Sequence, residues 1–344
     1  MYVTSDIFDL KRIGRLRKFE WRENLLGGVV VYGTEWRGYQ AGARFLLEAA
    51  RCCGVADEME FAGYQRRGDD RQRSIKAKSF EKLTRGELIG ARDAVSLLFR
   101  GVREAEGSWT KQIEFGGEAS LKRHRVRGPT GPQWIDNYPY AAFIVDFIFP
   151  IPGPGLEKAV ELFGLAVDIL GAEYGYYFVR DELCFPTGYP YGLSPVLDHN
   201  GKRPDKEAIE FGDWADFVGE GRLWTGQWPI FRDLYEVNLI SDRHARTPIE
   251  GLGYLLDWIA AQPGRGRLES VGEGRWLWIL TDAEMAEVRP RLNEAGVLLS
   301  CSERVYRDLP QGAAVAQRMY DAARVNWAPW VSDAIRDYPG RFRG

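Results

Sequence analysis

Residues 234–300 read LYEVNLISDRHARTPIEGLGYLLDWIAAQPGRGRLESVGEGRWLWILTDAEMAEVRPRLNEAGVLLS, and this stretch decides the fold. Tyr235–Ile240 and Arg267–Val271 alternate as strands do, while Ile249–Ala261 and Asp282–Ala295 carry apolar residues at helical spacing. Gly272-Glu-Gly274 turns a hairpin into a further strand. In that strand Trp276, Trp278 and Leu280 share one face, because side chains repeat every second residue. Strand, helix, strand, tight turn, strand, helix, strand over Leu234–Ser300 is a ferredoxin-like βαββαβ layout. That architecture hosts many functions and dictates none.

Upstream, Leu26–Tyr32 is a β-rich run closed by Gly33. Arg37–Cys53 carries Ala41, Phe45, Leu46, Ala49 and Ala50 at helical spacing, and Gly54 supplies a stop. Asp57–Ser79 is charged and weakly patterned, a loop or an exposed helix. Thr84–Arg100 reads as a helix opened by the capping box Thr84-Arg-Gly-Glu87. Trp109–Phe115 and Ala119–Val126 read as a hairpin about Gly116-Gly117.

The Pro/Gly cluster Gly128-Pro-Thr-Gly-Pro132 is the best boundary between lobes. Past it, the nearly all-apolar Tyr140–Phe149 suggests a central strand covered on both faces. Leu156–Leu170 is an amphipathic helix stopped at Gly171, and Glu173–Val179 is a tyrosine-rich strand. The expected fold class is α+β with α/β-type layers, two-lobed, with mixed sheets of strand-helix-strand units. The expected organisation is an N-terminal lobe over 1–133, a C-terminal lobe over 134–310, and a helix (Ala313–Arg324) with a tail over 311–344.

At 344 residues, 45% hydrophobic and 28% charged, the chain can bury one large core or two modest ones. No apolar run approaches the roughly 20 residues of a membrane span, and Met1-Tyr-Val-Thr-Ser-Asp6 lacks the order of a signal peptide. A cytoplasmic location is expected. Cys52, Cys53, Cys184 and Cys301 include no C-x-x-C pair, and a neighbouring pair bridges badly, so reduced thiols are expected. The net charge of -3 implies no nucleic-acid partner, and the basic runs Lys11–Lys18, Arg66–Arg73 and Lys122–Arg127 read as solvated faces.

The sequence contains no phosphate-binding loop, dinucleotide fingerprint, zincin motif or nucleophile elbow, and so implies no cofactor. His124, His199 and His244 lie too far apart to give a metal-ligand spacing. Asp181-Glu182, with Cys184 and His199 nearby in sequence, is the one stretch offering acid/base groups. Adjacent residues on an extended chain point to opposite faces, however, which makes them poor partners on one substrate. Asp198-His199-Asn200-Gly201 reads as a turn, and Asp242 as a local backbone cap before a helix.

The long connection Arg180–Phe231 holds Pro186, Pro190, Pro195, Pro204 and Pro229. Connections of this length often build binding surfaces. Aromatic and acidic residues crowd it and its approach at Tyr174, Tyr176 and Tyr177. Tyrosine and tryptophan bury much area at little rotamer cost, so they favour contact with a protein partner. The candidate partner-binding residues are Tyr189, Tyr191, Asp213, Asp216, Trp224 and Trp228.

Residues 172–186, AEYGYYFVRDELCFP, followed by residues 228–241, WPIFRDLYEVNLIS, and a helix, resemble the immunity proteins of bacterial polymorphic-toxin systems, closest to the type VI immunity family. The likeness spans Tyr140–Leu299. It implies a cytoplasmic protein that binds a co-expressed toxin effector and blocks it, with Arg232-Asp233 a structural ion pair at a strand start. The alternatives are an enzyme using the Asp181, Glu182 and His199 region, and an adaptor or chaperone that loads an effector.

Overall fold

The computed structural model describes residues 25–67, 71–104, 112–121, 124–128, 131–135, 143–150, 155–181, 231–246, 248–249, 251–295 and 298. The elements run β1 (Leu25–Gly33), α1 (Tyr39–Cys52), β2 (Met59–Arg66), β3 (Gln72–Lys76), α2 (Glu81–Thr84), β4 (Ala94–Glu104), β5 (Gln112–Leu121), β6 (His124–Gly128), β7 (Gly131–Ile135), β8 (Phe143–Pro150), α3 (Leu156–Leu170) and β9 (Tyr174–Asp181). They continue with β10 (Val237–Ser241), α4 (Asp242–Ala245), β11 (Pro248–Ile249), β12 (Gly253–Tyr254), α5 (Leu255–Ala260), β13 (Arg267–Gly272), β14 (Arg275–Ile279) and α6 (Asp282–Glu294). The protein is α+β. Among the described residues one ten-stranded sheet has the order β13-β14-β10-β9-β1-β8-β5-β4-β2-β3.

Every described ladder in that sheet is antiparallel, where mixed sheets were expected. The reason is that each strand-helix-strand unit is split. β8, α3 and β9 form a crossover whose two strands run parallel but are separated by β1, which opposes both. In the same way β10 and β13 flank β14.

Two ferredoxin-like units are legible in this order. In the first, β1, β5, β8 and β9 supply strands one to four in the order four-one-three-two, with α1 and α3 as the helices and β2–β4 inserted after α1. In the second, β10, β13 and β14 supply the first three strands, and β9 occupies the place of the fourth. Leu298, at the expected fourth strand, makes an isolated parallel bridge to Phe231. The predicted hairpin forms, with Trp276 opposite Ser270 and a bulge that leaves Val271 out of the pairing.

β1 and β10 run in the same direction, while their units extend to opposite sides. Right-handed crossovers must therefore place the helices of the two units on opposite faces. The cores agree. Ala43, Phe45 and Leu46 of α1 and Leu162, Phe163 and Ala166 of α3 pack with Val29, Val31, Val145 and Phe147. On the other face Leu255, Ile259, Val288 and Leu292 of α5 and α6 pack with Val30, Tyr32, Ile144 and Trp278. β8 alternates between both cores and is buried throughout except Pro150, as its apolar run requires.

Helix α3 ends as predicted at Gly171, whose φ of 69° is the left-handed cap that glycine favours. Three readings are corrected. The weakly patterned Asp57–Ser79 contains the hairpin β2–β3. Much of Thr84–Arg100 is strand β4, in which Leu97 and Phe99 point inward and Ser96, Leu98 and Arg100 are half-buried. Thr84 ends a helix instead of opening one, its hydroxyl donating to the Glu81 carbonyl at 2.7 Å.

The third correction is Gly116-Gly117, which lies inside the single strand β5 instead of turning a hairpin. A Cβ on Gly116 would lie 2.2 Å from the Phe99 carbonyl oxygen, and one on Gly117 would lie 2.1 Å from that of Asp146. The glycines permit close strand approach. The expected boundary at Gly128–Pro132 falls in the β6–β7 hairpin, and the main sheet carries strands from both sides of it.

Candidate functional site

The connection predicted to bind a partner leaves the sheet at Asp181, the end of β9, which is opposite Leu25 in the register. It re-enters the described structure at Phe231. Its return is fixed by β9 itself, because strand alternation turns Tyr174, Tyr176 and Phe178 toward one core and Tyr177 and Val179 toward the other.

Arg232 is 1% exposed on that tyrosine face. Its backbone N–H donates to the Tyr174 hydroxyl at 2.8 Å, and its guanidinium donates to the Tyr176 hydroxyl at 2.5 Å while lying 5.3 Å from that ring's centroid. Tyr176 and Tyr32 share a hydrogen bond at 3.2 Å, and Tyr235 stacks on Tyr176 at 4.5 Å. Tyr174 stacks on His244 at 5.2 Å and meets Phe231 edge-on at 6.0 Å. A buried cation is costly unless acceptors meet it, and here the Tyr176 hydroxyl and ring face do so. Burial holds the Tyr32 and Tyr174 hydroxyls protonated, well above the ordinary tyrosine range.

Arg232 and Asp233 were expected to form an ion pair with each other. They turn to different partners instead. Asp233 accepts hydrogen bonds from the Leu234 N–H at 2.7 Å and from the Arg289 guanidinium on α6. Adjacent extended residues face apart, so one reaches the tyrosines and the other the helix. Both are buried. The local cap near Asp242 is likewise made by other groups. His244 Nδ1 lies 3.5 Å from the Ser241 N–H and 3.3 Å from its hydroxyl, while Asp242 pairs with Arg246.

A second polar cluster sits on the first unit. The hydroxyls of Ser96 on β4 and Ser120 on β5 both donate to Glu118 Oε1, at 3.1 and 2.5 Å. The Glu118 N–H donates to Asp146 Oδ1 on β8 at 3.1 Å. These bonds tie three adjacent strands together. Cys52 and Cys53 are free thiols, and a hydrogen bond from the Cys53 thiol to Cys52, together with burial, pushes the Cys53 thiol well up. Among the described residues no three His, Cys, Asp or Glu side chains converge as metal ligands, and no helix is long and apolar enough to cross a membrane.

Tyr189, Tyr191, Asp213, Asp216, Trp224 and Trp228 lie outside the described residues, as do Glu182, Cys184, His199, Cys301 and Ala313–Arg324. Asp181 is described through its backbone. What sequence reading missed is the group that holds the connection's return: Tyr32, Tyr235, His244 and Arg289 around Arg232. The one available signal was period-two alternation, which puts Val30 and Tyr32 on one face of β1 and Tyr174, Tyr176 and Phe178 on one face of β9.

No family model and no curated protein matches the chain. Among solved structures, the Pseudomonas aeruginosa T6SS protein PA0821 aligns with a TM-score of 0.39 and 13% identity, over 80% of this chain and 73% of that one. A likeness of this degree carries neither fold nor role from one protein to the other.

Proposed function

We propose that the protein binds a co-expressed bacterial toxin effector and neutralises it by protein–protein contact, as the immunity proteins its sequence resembles do. The observation that carries this reading is the rooting of the 182–230 connection. One end continues from a central strand of the sheet, and the other begins at Phe231-Arg232-Asp233, buried and held by Tyr174, Tyr176 and Arg289. A segment rich in tyrosine, tryptophan and carboxylates thus has both ends anchored in the sheet, and connections of this length often build binding surfaces. Tyr189, Tyr191, Trp224 and Trp228 are the proposed aromatic anchors, with Asp213 and Asp216 steering a basic partner.

The test is co-purification from the native cell, followed by protection assays with the captured toxin. A Tyr189→Ala, Tyr191→Ala, Trp224→Ala variant with an unchanged circular dichroism spectrum should lose binding and rescue together, since a central aromatic anchor contributes about 2 kcal/mol or more. Unchanged affinity and rescue would move the interface elsewhere. Capture of a secretion-apparatus component with no protection would favour an effector-loading adaptor.

A further inference from the structure

We infer that the sheet has a joint between β9 and β10, and that β10, β13 and β14 open there as one unit with α5 and α6, fastened by side chains among which Arg232 and the tyrosines form a polar clamp. The backbone ladder is the first reason. β1 pairs β9 from Leu25 to Tyr32, and β10 pairs β14 from Val237 to Ser241, but β9 meets β10 only at Asn238↔Tyr176 and Leu239↔Gly175. The joint therefore has the shortest ladder in the ten-stranded sheet.

Side chains compensate for it. On one face Arg232 reaches the Tyr174 and Tyr176 hydroxyls, and Tyr176 in turn meets Tyr32 on β1, so one network runs from the second unit to the centre of the first. Tyr235 stacked on Tyr176 and His244 stacked on Tyr174 lie in the same seam. On the other face α3 crosses the joint, Arg275 donating to the Ala172 carbonyl at 2.9 Å and Val167 packing beside Val271. The α5 and α6 core continues across the joint, Ile240 and Trp278 of the second unit sharing one cluster with Val30 and Tyr32 of β1, Ile144 of β8 and Tyr176 of β9, so side chains and not backbone bonds carry the connection. Elements with few shared backbone bonds open as cooperative subunits below the global unfolding free energy.

The joint stands whether or not the protein binds a toxin.

Native-state hydrogen exchange on the full chain, read by mass spectrometry in low denaturant, tests this. Peptides from β10, β13 and β14 should exchange together and faster than those from β1, β5 and β8. In Tyr176→Phe, which removes the acceptor of the guanidinium bond, exchange in the second unit should rise by about tenfold or more, the equivalent of one charge-assisted hydrogen bond, with β5 and β8 unchanged. Equal protection of both sets in the wild-type protein, which needs no variant to fold, would overturn the joint. A uniform rise across all strands in Tyr176→Phe would overturn the role of the clamp.

Discussion

The two ferredoxin-like units differ in how they close. The first brings four strands of its own, joined by long ladders, and its insert β2–β4 extends the sheet outward from a finished unit. The second brings three and finishes on β9, which already serves the first, so it is held by a short ladder and by side chains. A unit that closes on its own backbone tolerates loss of a side chain better than one that closes through side chains. The long aromatic connection proposed to bind a partner leaves the sheet on one side of this junction and returns on the other.

The largest expected effect separates the units directly. Trp278 is fully buried in the second unit, its Nε1–H donating to the Arg265 carbonyl at 2.8 Å and its ring meeting Phe231 edge-on at 6.1 Å. Trp278→Ala should cost about 3–5 kcal/mol, the usual range for deleting a buried large aromatic. If the units are separable, a urea titration of this variant followed by circular dichroism should split into two transitions, the earlier one being the second unit. Phe147→Ala, a comparable deletion in β8, should shift a single transition. One shifted transition in both variants would mean that the sheet unfolds as a single body despite its short ladder.

Sequence reading fared differently on the two units for physical reasons. Leu156–Leu170, Tyr174–Asp181 and the 267–280 hairpin were legible because apolar period and glycine punctuation agree there. β4 misled because Val95, Leu98 and Phe99 fall at helical spacing, and only the partners β2 and β5 decide between the two periods. β5 misled because paired glycines usually turn a chain, whereas here they make room for neighbouring backbones. The shared use of β9 was hidden for a third reason: no local pattern says which strand will occupy a vacant sheet position. Of the site, the connection's composition was visible, but the Tyr32–Tyr176 contact joins residues 144 positions apart and is set by β1–β9 register alone.

A middle-sized effect probes the junction by pH. Tyr32 and Tyr174 are kept protonated in the native state by burial, while in the unfolded chain they ionise near their ordinary value of about 10. Above that value the unfolded state binds fewer protons than the native state, so stability falls as pH rises. The urea midpoint should therefore drop between about pH 8 and about pH 10.5. In Tyr32→Phe, which loses one titrating group and its bond to Tyr176, the midpoint at pH 8 should be lower and the alkaline drop shallower. An alkaline drop of undiminished size in this variant would mean that tyrosines outside the junction cause it.

The smallest expected effect lies away from the junction, within the insert. Arg103 at the end of β4 grips Glu58 with two hydrogen bonds, 2.8 and 2.5 Å, and holds its carboxyl below the usual carboxylate range. Both side chains are well exposed, at 44% and 37%, so water and salt screen the pair. Its contribution should be below about 1 kcal/mol. Because the native pKa is depressed, that contribution is present above the unfolded value of about 4.3 and is lost as pH falls through the native one. Glu58→Gln should therefore lower the melting temperature slightly at neutral pH, less so in high salt, and not at all near pH 2, where both proteins lack the charge. A large loss at every pH would show that Glu58 supports the insert by packing and not by its charge.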